Sequence, residues 1–320
     1  MIAEATVTDG RLVTLRRAEP EDAAAMLSVI HAAFGARPVI GALPDALRET
    51  TASIAQALMG GLGYIAHVEG EPAGAILVHS DGAAVRLGRV SVHPDFQRLG
   101  VATFMVRALL EVMAARGVAL VTLLARKDYP HLRAFWLSHG FTVTGEEGTS
   151  WVLERPLPVV AEVPDADAMR ALGCALAALV RPGDLIIASG DLGAGKTTFA
   201  QGLGAGMHVA GPVISPTFVL ARVHRSTVGG PGLVHADAYR LGGFAELEDL
   251  DLEESLAESV TLIEWGAGVA ERLSADHLAV EIVRGLDPDD ETRWVFLIPV
   301  GERWHRKELA EAVAALEVPA

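Results

Sequence analysis

In the first half of the chain, the spacing of apolar residues alternates between the period of two typical of strands and the helical period near 3.6. The stretch 13–34 (VTLRRAEPEDAAAMLSVIHAAF) predicts a strand, a turn and a helix whose first turn is acidic. The other elements predicted here are two strands in 63–80, a strand in 83–94, a helix over Thr103–Arg116, a strand in 118–126, a helix in 131–140 and a strand from 141. This order predicts an α/β fold with a mixed sheet and helices.

The second half repeats the alternation of element types, beginning with a helix over Asp165–Leu179. The run LIIAS (185–189) is apolar throughout, which is typical of a strand covered on both faces. The other predicted elements are helices over 197–206, 247–258 and 266–273, strands over 218–224, 232–236 and 260–264, and a terminal hairpin over 277–300 with an acidic turn at 286–291. A second α/β unit is therefore expected.

The segment ERPLPVVAEVP (154–164) holds three prolines between the two patterned regions and is predicted to be a linker. A chain of 320 residues is long enough for two domains. We therefore predict one domain over residues 1–155 and another over residues 156–320.

Composition excludes several classes of protein. Hydrophobic residues make up 51% of the chain and charged residues 21%, as in folded globular proteins. The single cysteine, Cys174, excludes a disulfide framework, and its apolar helical surroundings predict that it is buried. No run of 18 apolar residues is present, so no membrane-spanning helix is predicted and a cytoplasmic location is expected.

The net charge of −15 is unevenly distributed. Residues 1–154 carry 13 Lys and Arg against 16 Asp and Glu, whereas residues 155–320 carry 13 against 25. Because so acidic a region repels a phosphate backbone, we expect it to reach RNA only through a partner protein.

The segment GDLGAGKTT (190–198) follows an apolar strand and precedes a helix, which is the context of an ATP phosphate-binding loop. Its glycines allow the backbone to turn tightly, and its amides then form an anion-binding nest at a helix N-terminus. Lys196 would neutralise the β- and γ-phosphates, and the Thr197 hydroxyl is suited to Mg²⁺. The loop residues predicted to contact ATP are Gly190, Asp191, Leu192, Gly193, Ala194, Gly195, Lys196, Thr197 and Thr198.

Two carboxylates follow predicted strands of the same region, Asp237 in HADAYRL (235–241) and Glu264 in IEWGAGV (263–269). At the ends of strands near the loop they would suit Mg²⁺, directly or through water, and would orient an attacking water. Thr217 in ISPTF (214–218) is predicted to sense the γ-phosphate.

These motifs, in this order and with LEDLDLEE (247–254), resemble the TsaE family of ATPases in bacterial tRNA threonylcarbamoyladenosine synthesis, over nearly all of residues 160–300. The resemblance implies catalytic roles for Asp237 and Glu264 beside Lys196, with Thr197 and both carboxylates near the metal. It also implies partnership with TsaD and TsaB. His235, Tyr239, Arg240 and Trp265 belong to the same motifs, and we place Trp265 at the ATP site. A core position for Trp265 and a structural ion pair for Arg240 are the alternatives.

The N-terminal half contains Q-x-x-G-x-A (Gln97, Gly100, Ala102) between a predicted strand and helix, which makes a second amide-lined anion cradle. With AFWLSHGF (134–141) downstream, residues 12–155 resemble the GNAT acyltransferase superfamily. The resemblance implies acetyl-CoA contacts from strand residues and cradle residues, namely Val90, Val92, Gln97, Arg98, Gly100, Val101, Ala102 and Thr103.

Catalysis in this half is less well supported by the sequence than binding. The strand before the cradle lacks the Glu that many GNAT enzymes have, and Trp136 occupies the position of their Tyr. Tyr129, His93 and His131 are candidate substitutes. Three hypotheses remain: a tRNA-modification ATPase fused to a GNAT domain, an acetyltransferase regulated by its P-loop half, and a GNAT half that only senses acetyl-CoA.

Overall fold

The computed structural model describes residues 2–38, 44–82, 84–216, 220–239, 246, 257–285 and 290–316. Contacts within the chain divide it into two compact units, Met1–Leu157 and Pro158–Ala320. Both are α/β units built on a mixed sheet, as the alternation of element types predicts. No described helix is long and apolar enough to cross a membrane.

The first unit is an eight-stranded sheet in the order β1-β2-β3-β4-β5-β6-β8-β7. Its strands are β1 (Ala3–Thr6), β2 (Leu12–Arg17), β3 (Leu62–Val68), β4 (Glu71–Asp81), β5 (Ala84–Val92), β6 (Leu120–Arg126), β7 (Thr142–Glu147) and β8 (Ser150–Pro156). Its helices are α1 (Ala23–Gly35), α2 (Thr51–Gly60), α3 (Val101–Ala115) and α4 (Pro130–Ser138). β5 and β6 pair in parallel, and the other neighbouring strands of this sheet are antiparallel.

Helices cover opposite faces of this first sheet. Ala75 of β4 belongs to the apolar core that α1 and α2 form with the sheet. At the adjacent position, which faces the other way, a Cβ on Gly74 would collide with Met105 of α3. α3 therefore lies on the face opposite to α1 and α2.

The second unit is a seven-stranded sheet in the order β11-β12-β13-β10-β14-β15-β9. Its strands are β9 (Val159–Val163), β10 (Leu185–Ser189), β11 (Ala221–His224), β12 (Gly232–Asp237), β13 (Ser259–Glu264), β14 (His277–Arg284) and β15 (Arg293–Val300). Its helices, among the described residues, are α5 (Ala166–Ala177), α6 (Lys196–Gly206) and α7 (Arg306–Ala314). β12, β13, β10 and β14 run in parallel, so their carboxyl ends meet at one edge.

The strand β10 is central and covered on both faces, as its unbroken apolar run predicts. Ile186 packs into the core formed with α5 and α6, and Ile187 packs into the core on the other side. α5 and α6 approach closely where both helices carry glycine. A Cβ on Gly173 would collide with the Phe199 carbonyl, and one on Gly202 would collide with the Arg170 carbonyl. This contact fixes α6 against its neighbour.

Several predictions about local structure are wrong. The predicted linker 154–164 is mostly strand, because its alternating apolar residues complete β8 and form β9 at a sheet edge. The helix predicted over 266–273 is only a 3-10 turn at Ala270–Leu273. Cys174 is exposed, since α5 turns Leu172 and Leu176 toward the core instead. Most of the helix predicted over 247–258 lies outside the described residues.

Candidate functional site

The phosphate loop connects the end of β10 to the start of α6, at the edge where the parallel strands end. Gly190 has φ 139°, and a Cβ there would collide with the Ile282 carbonyl, so only glycine fits. Gly195 has φ 116° at the position before α6. The first amides of α6 have no acceptor within the helix and point toward the loop, which makes the site suitable for phosphate.

Lys196 lies within this loop and is almost fully buried. Its Nζ donates to the carbonyls of Gly190 (2.7 Å) and Asp191 (2.9 Å) and lies 3.6 Å from the centre of the Trp265 ring. Burial lowers the pKa of Lys196, and the nearby carboxylates of Glu264 and Asp237 oppose that shift. The loop thus holds the charged Lys196 side chain at the position where phosphate would bind.

Glu264 and Asp237 end adjacent parallel strands and are directly paired in register. Both are buried, at 2% and 3% exposure, although they are carboxylates. Glu264 lies beside the loop, with its two carboxylate oxygens 2.9 and 3.1 Å from the Thr197 hydroxyl. Asp237 accepts a hydrogen bond from Ser215 (3.3 Å). Buried carboxylates at such an edge are typical of a site rather than of a core.

Oxygen donors at this edge fit Mg²⁺. The Thr197 hydroxyl and the Glu264 carboxylate are in direct contact, and Asp237 is one strand away. Within the described residues, no group of three or more His, Cys, Asp and Glu side chains is gathered to hold a metal. A hydroxyl and a carboxylate are the kinds of oxygen ligand that Mg²⁺ uses, since this ion takes one or two protein oxygens and completes its shell with water and phosphates.

His235 and Trp265 make contacts at this site that their sequence motifs did not predict. His235 is fully buried, and its Nε2 lies 2.9 Å from Glu264 Oε1. Trp265 has φ 60°, and its ring lies against that of Tyr239 with the centroids 5.0 Å apart and the planes tilted by 55°. Trp265 is only half-buried, which argues against a purely core position. Ser215 was missed because nothing in its local sequence indicates a carboxylate partner. Thr217, Arg240 and the segment 247–254 lie outside the described residues.

The first unit has a separate cleft where β5 and β6 diverge. Their parallel pairing ends at Leu87 and Leu123, and a bulge in β5 leaves Arg89 and Val90 out of register with β4. Beyond Val92 the chain turns into the predicted cradle, where Gly100 has φ 88° and precedes α3. The Gln97 side chain donates a hydrogen bond to the Val92 carbonyl (3.1 Å), which links the cradle to the end of β5.

A cavity of about 1130 Å³ lies at this divergence. The predicted acetyl-CoA residues that line it are Val90, Val92, Gln97 and Ala102. Of the three candidate catalytic residues, Tyr129 and His131 line the cavity and His93 does not. The Tyr129 hydroxyl donates to the Pro38 carbonyl (2.8 Å).

Comparison with known proteins agrees with this division into two kinds of site. The family model described as "Threonylcarbamoyl adenosine biosynthesis protein TsaE" matches residues 163–292. The chain is 56% identical over 138 residues to the TsaE protein of Streptomyces coelicolor, covering 42% of this chain and 93% of that protein. The chain belongs to the TsaE family. The TsaE protein of Mycobacterium leprae is 50% identical over 121 residues, which are 36% of this chain and 75% of that protein.

The TsaE match lies within the second unit, whereas the first unit matches a different family. The model described as "Acetyltransferase (GNAT) family" matches residues 41–141, which confirms the predicted resemblance. A solved structure of the PaiA N-acetyltransferase from Thermoplasma acidophilum, in complex with coenzyme A, is 14% identical. The structural alignment covers 45% of this chain and 98% of the PaiA chain, with a TM-score of 0.42.

Proposed function

We propose that the TsaE-family unit binds and hydrolyses ATP with Mg²⁺ and thereby assists formation of threonylcarbamoyladenosine in tRNA, together with TsaD and TsaB in the cytoplasm. The observation that supports this most directly is the contact between Thr197 of the phosphate loop and the buried Glu264. The names of the relatives support the pathway, and the loop would supply the site for the nucleotide.

The proposed roles follow from the position of each side chain. The loop residues 190–198 would surround the phosphates with amides, and Lys196 would neutralise the β- and γ-phosphates. Thr197 and Glu264 would hold Mg²⁺, with Asp237 beside them. When bound, Mg²⁺ stabilises negative charge on the transferred phosphoryl group. Asp237 and Glu264 would also orient the attacking water and accept its proton.

Hydrolysis of ATP by the full chain tests these roles. We expect Lys196→Ala to abolish hydrolysis and weaken ATP binding, because the phosphates lose their main counter-charge. Glu264→Gln and Asp237→Asn should each lower kcat by about 100-fold or more while ATP still binds, since removal of one group that acts on the transition state has effects of this order.

The matched control is Glu162→Gln, which removes an exposed carboxylate from β9 at the far edge of the same sheet. This variant should hydrolyse ATP at the parental rate. Parental rates in both Glu264→Gln and Asp237→Asn would show that the two carboxylates have been wrongly assigned.

The first unit supports a second function, acetyl-CoA-dependent N-acetyl transfer. The specific observation is the divergence of β5 and β6 beside the cradle at Gly100, within a unit that matches the GNAT family. Val90 and Val92 would contact the pantetheine arm, and the cradle residues 97–103 would contact the pyrophosphate. Tyr129 is the best-placed acid for the leaving thiolate, because it lines the cavity at the end of β6.

A further inference from the structure

Arg37 is a cation on the wall of the first unit's cavity for which the described carboxylates supply no counter-charge. It follows α1, its side chain is partly buried, and its guanidinium lies 3.9 Å from the centre of the Phe34 ring and 5.9 Å from that of Tyr129. Arg37 forms no ion pair with any described carboxylate, and the residues 39–43 that follow (VIGAL) are uncharged. Burial lowers its pKa, and no carboxylate raises it.

The other arginines on the cavity wall differ from Arg37. Arg89 is paired with Glu49 at 2.7 Å, and Arg126 is paired with Asp128 at 2.5 Å. Arg86 is exposed, so water stabilises its charge. Among the described residues, the contacts that stabilise the charge of Arg37 are aromatic rings, whereas Arg89 and Arg126 have carboxylates. Because an anion compensates a partly buried cation more fully than a ring does, Arg37 is suited to a ligand that carries negative charge.

The position of Arg37 in the fold indicates which ligand that is. The cradle opens α3, which packs on the sheet face marked by Gly74 and Met105. Arg37 follows α1, which packs on the opposite face. The cavity includes Ala102 of α3 and Ala33 of α1, so it passes through the divergence of β5 and β6. An anion at Arg37 therefore belongs to the molecule that enters opposite the acetyl-CoA phosphates.

We propose that Arg37 binds a carboxylate of the acetyl acceptor, and that the acceptor is a free amino acid. The inference rests on the proposed acetyl transfer. One guanidinium matches one carboxylate through two parallel hydrogen bonds, whereas a phosphate dianion would keep a second, unpaired charge. The amine nitrogen bonds to the acetyl carbon as the carbon–sulfur bond breaks. The ammonium group first gives one proton to solvent, and the neutral amine then loses a second proton on attack, which the coenzyme A thiolate takes up.

The test compares amino acids with their carboxamides as acceptors for the full chain. Binding of acetyl-CoA is measured first by calorimetry, and release of coenzyme A is then followed with the twenty amino acids and the matching amides. We expect kcat/KM to favour at least one acid over its amide by about 10- to 100-fold, the range for a hydrogen bond between charged groups. Calorimetry with that amino acid in the presence of coenzyme A should show the same preference.

Variants separate the charge of Arg37 from its packing. Arg37→Gln should remove the preference for the acid and leave acetyl-CoA affinity unchanged, whereas Arg37→Lys should retain part of it, because the charge remains without the planar fork. The control Arg86→Gln makes the same change at an exposed position of the same cavity and should keep the full preference.

The outcomes distinguish this inference from the proposed function. If acetyl-CoA does not bind, the proposed acetyl transfer is wrong, and the inference falls with it. If acetyl-CoA binds, the inference alone is overturned by any of three results: equal use of acids and amides, no acetylation of any amino acid, or a preference for phosphoethanolamine. Retention of the preference by Arg37→Gln would also overturn it.

Discussion

His235 is a fully buried histidine that contacts Glu264, a residue of the proposed ATP site. Its Nε2 faces Glu264 Oε1, while its Nδ1 is buried without a hydrogen-bond partner among the described residues. If Nε2 carries a hydrogen, the ring donates to Glu264. Glu264 is then held by two donors, His235 and Thr197, and we predict that His235 is a positioning residue.

Substitution of His235 distinguishes positioning from packing. His235→Leu should lower kcat for ATP hydrolysis by about 10-fold or more with little change in KM, since the carboxylate loses the donor that orients it. His235→Gln keeps a donor and should restore much of that loss. The control His277→Gln alters another buried histidine of this unit, on β14. Equal kcat in the Leu and Gln variants would contradict a positioning role.

The start of α3 is the proposed binding site for the pyrophosphate of acetyl-CoA. Gly100 precedes the helix in a left-handed conformation, and a Cβ built on it would meet no other atom within 4 Å. A ligand could therefore approach the first amides from this side. The other end of α3 offers a matched position, because Gly117 is also left-handed and a Cβ built on it would likewise meet no other atom within 4 Å.

Glutamate at these two glycines tests whether the helix start binds pyrophosphate. Gly100→Glu should reduce acetyl-CoA binding by the full chain below detection in calorimetry, because bulk and negative charge replace the approach to the amides. Gly117→Glu imposes similar backbone strain away from the cradle and should bind acetyl-CoA as the parent does. Equal loss of binding in both variants would point to destabilisation of the unit instead.

The distribution of charge concerns the molecule as a whole. The chain carries −15, and residues 155–320 hold 25 acidic against 13 basic residues, so the TsaE-family unit is unsuited to holding tRNA by electrostatics. Partner proteins that bind the RNA would remove this difficulty. A nucleotide-dependent contact with them is physically reasonable, because the γ-phosphate can order a loop near the site.

We therefore expect the full chain to bind the TsaD–TsaB pair more tightly with ATP than with ADP, and Lys196→Ala to remove this difference. In a reconstituted reaction, the parent should increase the modified adenosine formed over many turnovers, and Lys196→Ala should not. Gly100→Glu should support the same yield as the parent, because acetyl-CoA binding is not required. A yield unaffected by the chain would reject a role in this reaction, and a yield lost in Gly100→Glu would favour regulation between the units.

The sequence alone determined the features that depend on neighbouring residues. The phosphate loop, β10 before it and α6 after it are contiguous, so their apolar pattern and glycines were sufficient to predict them. The motifs likewise predicted the two families, which the comparisons confirm. The proline content of 154–164 led to the wrong prediction of a linker. Prolines at strand ends and sheet edges cannot be told from linker prolines by sequence alone.

Only the tertiary structure decided which distant residues meet. Thr197 and Glu264 are 67 positions apart and touch because β13 pairs beside β10. Arg37 reaches the cavity because α1 packs on the sheet face opposite α3, which its local sequence does not specify. Helical and strand periodicity can be recognised in short stretches of sequence. Strand order and the pairing of a buried charge depend on contacts between distant residues.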